Sequence, residues 1–250
     1  MLSSSRLCFR PRRVLLLAIS CAFIACSLSA QPAEKDFRSL FNGSNLAGWK
    51  GDPSFWSVID GAITGQTTAE RPAKKNTFLI WQGGDVKNFE LRTEFRLVPN
   101  NDKNFANSGI QYRSKVVDAD NWIVGGYQGD MDGEGKYVGM LYEEKGRGIV
   151  AMPGQKVRIS AGDEKPKIDV TGVTTPPAEI AAAIRKSDWN EYVIIADGNH
   201  LRHYINGLLT ADITDLDETL AAKSGVLALQ LHTGLPMTVQ FKNIRLKVLP

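Results

Sequence analysis

Three short stretches place planar hydrogen-bonding and titratable side chains two residues apart: Gln111 with Arg113, Gln128 with Asp130, and Gln230 with His232. They alternate with Ile110 and Tyr112, Tyr127 and Gly129, and Leu229 and Leu231. On an extended strand, residues two apart share a face. The pattern therefore predicts one polar face carrying Gln, Arg, Gln, Asp, Gln and His. A face that only meets water would more often carry Lys, Glu and Thr. Amides of this kind suit the hydroxyls of a sugar, and Asp130 and His232 are groups that can move a proton. Plainer roles compete: Arg113 and Asp130 as a cross-strand ion pair, and His232 as a surface residue at a strand end.

Other candidates carry less chemistry. Asp130-Met-Asp-Gly-Glu-Gly135 resembles the start of a calcium loop, but its twelfth position is Leu141 where a bidentate Glu is required, so a turn is the better reading. Trp49, Trp56, Trp81, Trp122 and Trp189 are available to stack on sugar rings, although most are expected in the core. The chain has no Gly-x-Ser-x-Gly, phosphate loop, dinucleotide fingerprint or His-Glu-x-x-His, which disfavours those hydrolase, nucleotide and zinc chemistries.

The elements that must position these residues read as strands. Phe89–Leu97 alternates apolar and charged residues without a break, as a half-buried strand does. Further strands are predicted at Ser57–Thr64, Gly109–Ser114, Trp122–Gln128, Tyr137–Tyr142, Tyr192–Asp197, His200–Ile205, Gly225–His232 and Thr238–Val248. Asp197-Gly-Asn199 and Asn206-Gly207 supply turn residues. Pro177–Lys186 predicts one short helix, and Gly162–Pro177 reads as a long excursion. The sum is an all-β sandwich of two antiparallel sheets, one curved sheet packing its apolar face on the other.

Residues 1–30 read as a signal peptide: Arg6, Arg10, Arg12 and Arg13, an apolar run from Val14 to Ala25, then small residues up to Ala30. The apolar run is short for a membrane span, and Phe23-Ile-Ala-Cys26 is a poor lipoprotein box. The formal charge of +3 belongs to this leader; without its four Arg the remainder holds 26 basic and 27 acidic residues. A nucleic-acid partner then lacks its electrostatic basis. All three cysteines, Cys8, Cys21 and Cys26, also lie in the leader, so residues 31–250 form a single thiol-free domain outside the cytoplasm, periplasmic or extracellular, with no membrane span after processing.

Motifs in order along the chain carry a family resemblance: Phe37-Arg-Ser-Leu-Phe-Asn-Gly-Ser-Asn-Leu-Ala-Gly-Trp49, Trp56-Ser-Val-Ile-Asp-Gly61, Asn107-Ser-Gly-Ile-Gln-Tyr-Arg113, Gly126-Tyr-Gln-Gly-Asp130, Leu141-Tyr-Glu143, Trp189-Asn190, Ile205-Asn-Gly207 and Leu229-Gln-Leu-His232. Together they resemble the 3-keto-disaccharide hydrolase family (3-keto-glucoside 1,2-lyase and 3-keto-2-hydroxy-glucal hydratase domains). The resemblance implies a concanavalin A-like jelly roll with its site on the concave face, and cleavage of glycosides oxidised to a ketone at C3. It also implies an oxidised glucoside or disaccharide as substrate and a partner sugar oxidoreductase to make it. Such a ketone acidifies the C2 proton, so the site needs a base, an oxyanion stabiliser and an acid for the leaving group. Residue type and expected facing offer Asp130 or His232 as base, Arg113 with Gln128 for the enolate, and Glu143 or Tyr142 at the departing oxygen. Asn107, Ser108, Gln111, Tyr127 and Gln230 would contact the sugar. A divalent metal on Glu94, Asp130 and His232 is the alternative electrophile. Two rival functions stand beside this one: a retaining glucanase using Asp130 and Asp132, and a non-catalytic carbohydrate-binding module.

Overall fold

The computed structural model describes residues 36–250; the segment expected to be a signal peptide, residues 1–30 with all three cysteines, lies outside the described residues. In chain order the strands are β1 (Arg38–Ser39), β2 (Trp49–Lys50), β3 (Trp56–Ile59), β4 (Ala62–Thr67), β5 (Thr77–Trp81), β6 (Phe89–Pro99), β7 (Asn107–Asp118), β8 (Ile123–Asp132), β9 (Leu141–Glu144), β10 (Gly148–Ala151), β11 (Gln155–Ser160), β12 (Lys167–Val173), β13 (Asn190–Asp197), β14 (His200–Ile205), β15 (Leu208–Asp215), β16 (Val226–Leu231) and β17 (Met237–Val248), with one helix, α1 (Pro177–Ala183), between β12 and β13.

They form two sheets, one of ten strands in the order β12-β11-β15-β14-β13-β6-β17-β4-β3 with β1 beside β17, the other of seven in the order β10-β9-β8-β7-β16-β5-β2. Phe89, Leu91, Phe95 and Leu97 of β6 meet Ile110, Tyr112, Tyr127 and Met131 of the smaller sheet in one core between the layers. The two antiparallel sheets expected from the sequence are present; among the described residues every strand pair is antiparallel except β11 with β15, which runs parallel near one edge. Between these two strands the chain runs through β12, α1, β13 and β14 rather than a tight turn.

Several element boundaries also differ from expectation. Ser57–Thr64 is a hairpin, because Asp60 and Gly61 both take positive φ, 50° and 74°. Tyr137–Met140 is turn, and the strand there is β9. The excursion before Pro177 contains β12, which pairs along β11; its Pro, Thr and Gly content masks an edge strand. Helix α1 stops at Ala183, with Ile184 already extended.

The smaller sheet is curled. Glu144 of β9 lies 3.5 Å from Gln230 of β16 and 3.5 Å from Asn76, which immediately precedes β5. Three or four strand spacings would separate these backbones by about 14 and 19 Å in a flat sheet, too far for such side chains to bridge. The face turned away from the main core is therefore concave. Part of the β7–β8 hairpin folds over it: the Trp122 carbonyl accepts from the Phe78 amide at 3.0 Å, and Trp122 and Val124 pack on Phe78, Ile80 and Ala228 in a second small apolar cluster. Residues on this face are thus removed from water without entering the sandwich.

Candidate active site

Strand register sets the site out in rows on the concave face. Gln128 of β8 stands opposite Gln111 of β7 and Tyr142 of β9, and Gln111 opposite Ala228 of β16. The next row holds Asp130, opposite Gly109, with Gln230 beyond it on β16. Asp132 opposite Asn107 begins the third row, and His232 follows at the end of β16. Burial falls across the rows. Gln111, Gln128, Asp130 and Gln230 are 0–4% exposed, whereas Asn107, Asp132 and His232 are half-buried. The third row forms the rim.

Within the buried rows the polar atoms are joined. The Ser114 hydroxyl lies 2.6 Å from Gln111 Oε1, Gln111 Nε2 donates to Gln128 Oε1 at 2.8 Å, and Gln128 Nε2 donates to Asp130 Oδ1 at 2.9 Å. Burial pushes the Asp130 carboxyl up to about 8; the Gln128 bond and the Met131 amide pull it down, while the Asp132 and Glu144 charges add to the rise. A carboxyl in this range can exchange a proton near neutral pH. Burial also raises the Tyr142 phenol, which stays a hydrogen-bond donor. Gln230 Oε1 is buried with no partner in the protein. A buried acceptor left bare costs about 1–3 kcal/mol, so it is a place for a ligand hydroxyl.

Several expected members lie elsewhere. Arg113 does not share the face of Gln111. β7 carries a bulge after Tyr112, and Arg113 itself takes φ 47°, so Ser114 occupies the concave position instead. The Arg113 guanidinium is buried at the sandwich end and donates to Lys87 O at 2.6 Å, Gly198 O at 2.7 Å, Ala222 O at 3.3 Å and Asn88 Oδ1 at 3.2 Å. It pins three loops, and the ion pair with Asp130 is not formed. Glu143 faces between the sheets, where Arg147 joins it to Asp215, the latter at 2.7 Å. Tyr127 is on the same side and donates its hydroxyl to Asp215. Ser108 also turns inward, its hydroxyl donating to the Gln230 carbonyl at 2.6 Å. Strand alternation places Glu144, not Glu143, beside Tyr142, and that residue was legible from spacing. Asn76 carries no such signal, because only the curl of the sheet brings it in.

The metal and glucanase sets do not assemble. Glu94 sits on the outer face of the larger sheet, 3.3 Å from Lys242, and among the described residues no three His, Cys, Asp or Glu side chains gather as a metal set would. Asp132 caps the following turn, accepting from the Tyr137 and Lys136 amides at 2.7 and 3.1 Å, which also accounts for the calcium-like string. Trp49, Trp56 and Trp81 are core residues. Trp189 lies on the larger sheet beneath Lys242, whose Nζ is 4.1 Å from the ring centre. Trp122, half-buried, is the one tryptophan on the concave side.

A cavity of about 380 Å³ opens at the sandwich end between Arg113, Tyr127, Leu201, Asp215 and Ala222. Arg113 and Asp215 in its wall are engaged in the bonds described above, Arg113 with loop acceptors and Asp215 with Tyr127 and Arg147.

Comparison with known proteins follows this geometry. A family model described as the 3-keto-alpha-glucoside-1,2-lyase-like domain matches residues 36–247. A search of curated protein sequences gives no match. Among solved structures the chain is similar to a candidate glycosyl hydrolase from Parabacteroides distasonis, with 17% identity and a TM-score of 0.54 over 85% of this chain and 99% of that one. It is also similar to a carbohydrate-binding module from Bacillus subtilis, with 15% identity and a TM-score of 0.52 over 82% and 98%. A Bacillus subtilis protein with a galectin-like fold matches at 10% identity and a TM-score of 0.52, over 81% and 90%. At these identities the structural likeness shows the fold.

Proposed function

Since the chain belongs to the 3-keto-alpha-glucoside-1,2-lyase-like domain family, we propose that it cleaves glycosides already oxidised to a ketone at C3, with Asp130 as the base. The family is a carbohydrate-related one, and the concave face offers what a neutral sugar needs. The observation that carries the reading is Asp130: a carboxyl buried among amides, raised to about 8, beside the unpaired Gln230 Oε1.

The steps follow from the substrate. Asp130 takes the C2 proton, and the electrons of that bond form the enolate, with negative charge on the C3 oxygen. The Tyr142 hydroxyl donates to the developing charge, in the role that Arg113 is too distant to fill. Collapse of the enolate restores the C3 ketone, forms the C1–C2 double bond and breaks the C1–O bond. Glu144, when it carries a proton, gives it to the departing oxygen. Addition of water across the double bond, hydroxyl to C1 and proton to C2, completes net hydrolysis. Gln230 grips a ring hydroxyl, His232 and Asn107 line the rim through which the substrate enters, and Gln111, with both amide atoms bonded to Ser114 and Gln128, stands behind the site rather than on the sugar.

Release of 3-ketoglucose from 3-keto-trehalose tests this directly. Asp130→Asn is expected to lower kcat/KM by about 10²–10⁴-fold, the usual worth of a proton-transfer group, and His232→Ala to cost less. Wild-type turnover in Asp130→Asn would overturn the assignment, and binding without turnover by the unmodified protein would favour a carbohydrate-binding module. The working location belongs to the same proposal: residues 1–30 direct export, a partner oxidoreductase supplies the ketone, and no described helix is long and apolar enough to cross a membrane. A mature chain beginning near Gln31 is the expected result of N-terminal sequencing.

A further inference from the structure

The row of hydrogen bonds leading to Asp130 has a direction. An amide can present either oxygen or nitrogen to a carboxyl, and the choice decides which protonation state it favours. Gln128 presents nitrogen to Asp130 because its oxygen is occupied by Gln111 Nε2, and Gln111 presents nitrogen because its oxygen faces the Ser114 hydroxyl. All four residues are at most 4% exposed, so water does not supply substitutes. Two glycines make room for the row. A Cβ on Gly109 would stand 2.4 Å from Gln128 Cδ, and one on Gly126 would stand 2.6 Å from Ser114 Oγ.

Nothing else around Asp130 favours its ionised form as strongly. Asp132 of its own strand and Glu144 of β9 oppose its charge, Tyr142 of β9 and Tyr192 of β13 are phenols, and Lys145 is turned to Glu144 at 3.6 Å. Apart from Gln128, the favourable contact is the Met131 amide. Ser114 has other acceptors within reach, the Tyr112 and Tyr127 carbonyls at 3.0 and 3.3 Å. If its proton went there, both amides could turn over and offer an oxygen to a protonated Asp130.

We propose that Ser114 and Gln111 are positioning residues that lock Gln128 as a donor toward Asp130, favouring its ionised, proton-accepting form against the burial that opposes it. This rests on the reading of Asp130 as the proton acceptor at C2.

The test compares Ser114→Ala and Gln111→Met with wild type in two measurements. One is the pH profile of kcat/KM on 3-keto-trehalose, and the other is the carbon-13 titration of the Asp130 carboxyl in the substrate-free protein. Loss of the lock is expected to weaken the ionisation constant by about tenfold to a hundredfold, from the size of a hydrogen bond to a charged group. The acid-side limb and the carboxyl titration then move to higher pH together, with KM within about twofold. A fall in kcat with both titrations unmoved would make the row merely structural and overturn the proposal. Should Gln111→Met fail to fold, Ser114→Ala, which deletes one oxygen, decides alone. If Asp130→Asn keeps its turnover, the base assignment fails, while the carboxyl titration still reports whether the row acts on Asp130.

Discussion

Replacing Asp130 by Asn should change stability in a way that depends on pH and has a definite sign. In the unfolded chain this carboxyl ionises near 3.8, and in the folded protein burial holds it protonated up to about 8. Between those values the native state binds more protons than the unfolded state, so its stability falls as pH rises. The steepest contribution is about 1.4 kcal/mol per pH, and the whole window is worth on the order of 5 kcal/mol. Asparagine removes this loss, since it cannot ionise, and its oxygen still accepts from Gln128 Nε2. Urea unfolding of both proteins from pH 4 to pH 9 gives the difference directly, and contributions from all other titrating groups cancel. Near pH 4 the two proteins should differ little, and by pH 8 the variant should be the more stable by several kcal/mol. A difference that stays constant with pH, or that moves in favour of the wild type, would refute the claim that Asp130 is held neutral by burial.

Two further outcomes follow from groups outside the catalytic row. His203 is enclosed between Tyr112 and Tyr192, at 2.9 and 3.2 Å, and burial pushes it down to about 4. The unfolded chain takes up a proton near 6.5 and the native state does not, so stability is lost as pH falls from 6.5 toward 4, by on the order of 3 kcal/mol. His203→Gln should remove that acid-side slope in unfolding experiments, and an unchanged slope would contradict the burial argument. Arg113→Lys should act on stability rather than chemistry: an ammonium cannot serve the four acceptors around Arg113, and a cost of about 2–3 kcal/mol in urea unfolding is expected, with kcat within a few-fold. A large loss of kcat without loss of stability would return Arg113 to the reaction.

Strand alternation made most of the concave face legible. Gln111, Gln128, Asp130 and Gln230 could be read from residues two apart, since alternation is a local property of extended backbone. It failed where the backbone departs from that rule. No glycine or proline announces the bulge in Gln-Tyr-Arg-Ser, so Arg113 and Ser114 exchange faces without warning. Glu143 was a misreading of available information, because Tyr142 and Glu144 share a parity and Glu143 does not. Asn76 is of a third kind. Its approach to Glu144 depends on the curl of the whole sheet, a sum over five strands that no window of sequence contains. At the level of the fold, β12 was hidden for a related reason: an edge strand needs only one neighbour, and its composition resembles a loop.

The bulge in β7 has an effect beyond geometry. A strand without it would point a permanent positive charge at the concave side and a small hydroxyl at the carbonyls of three loops. One inserted residue sorts the two, sending the guanidinium to build the scaffold and the hydroxyl to the proton-handling row. A deletion at this position would put a fixed positive charge on the concave face while unfastening the far end of the sandwich. The same small irregularity thus separates the residue that holds the protein together from those proposed to carry its chemistry.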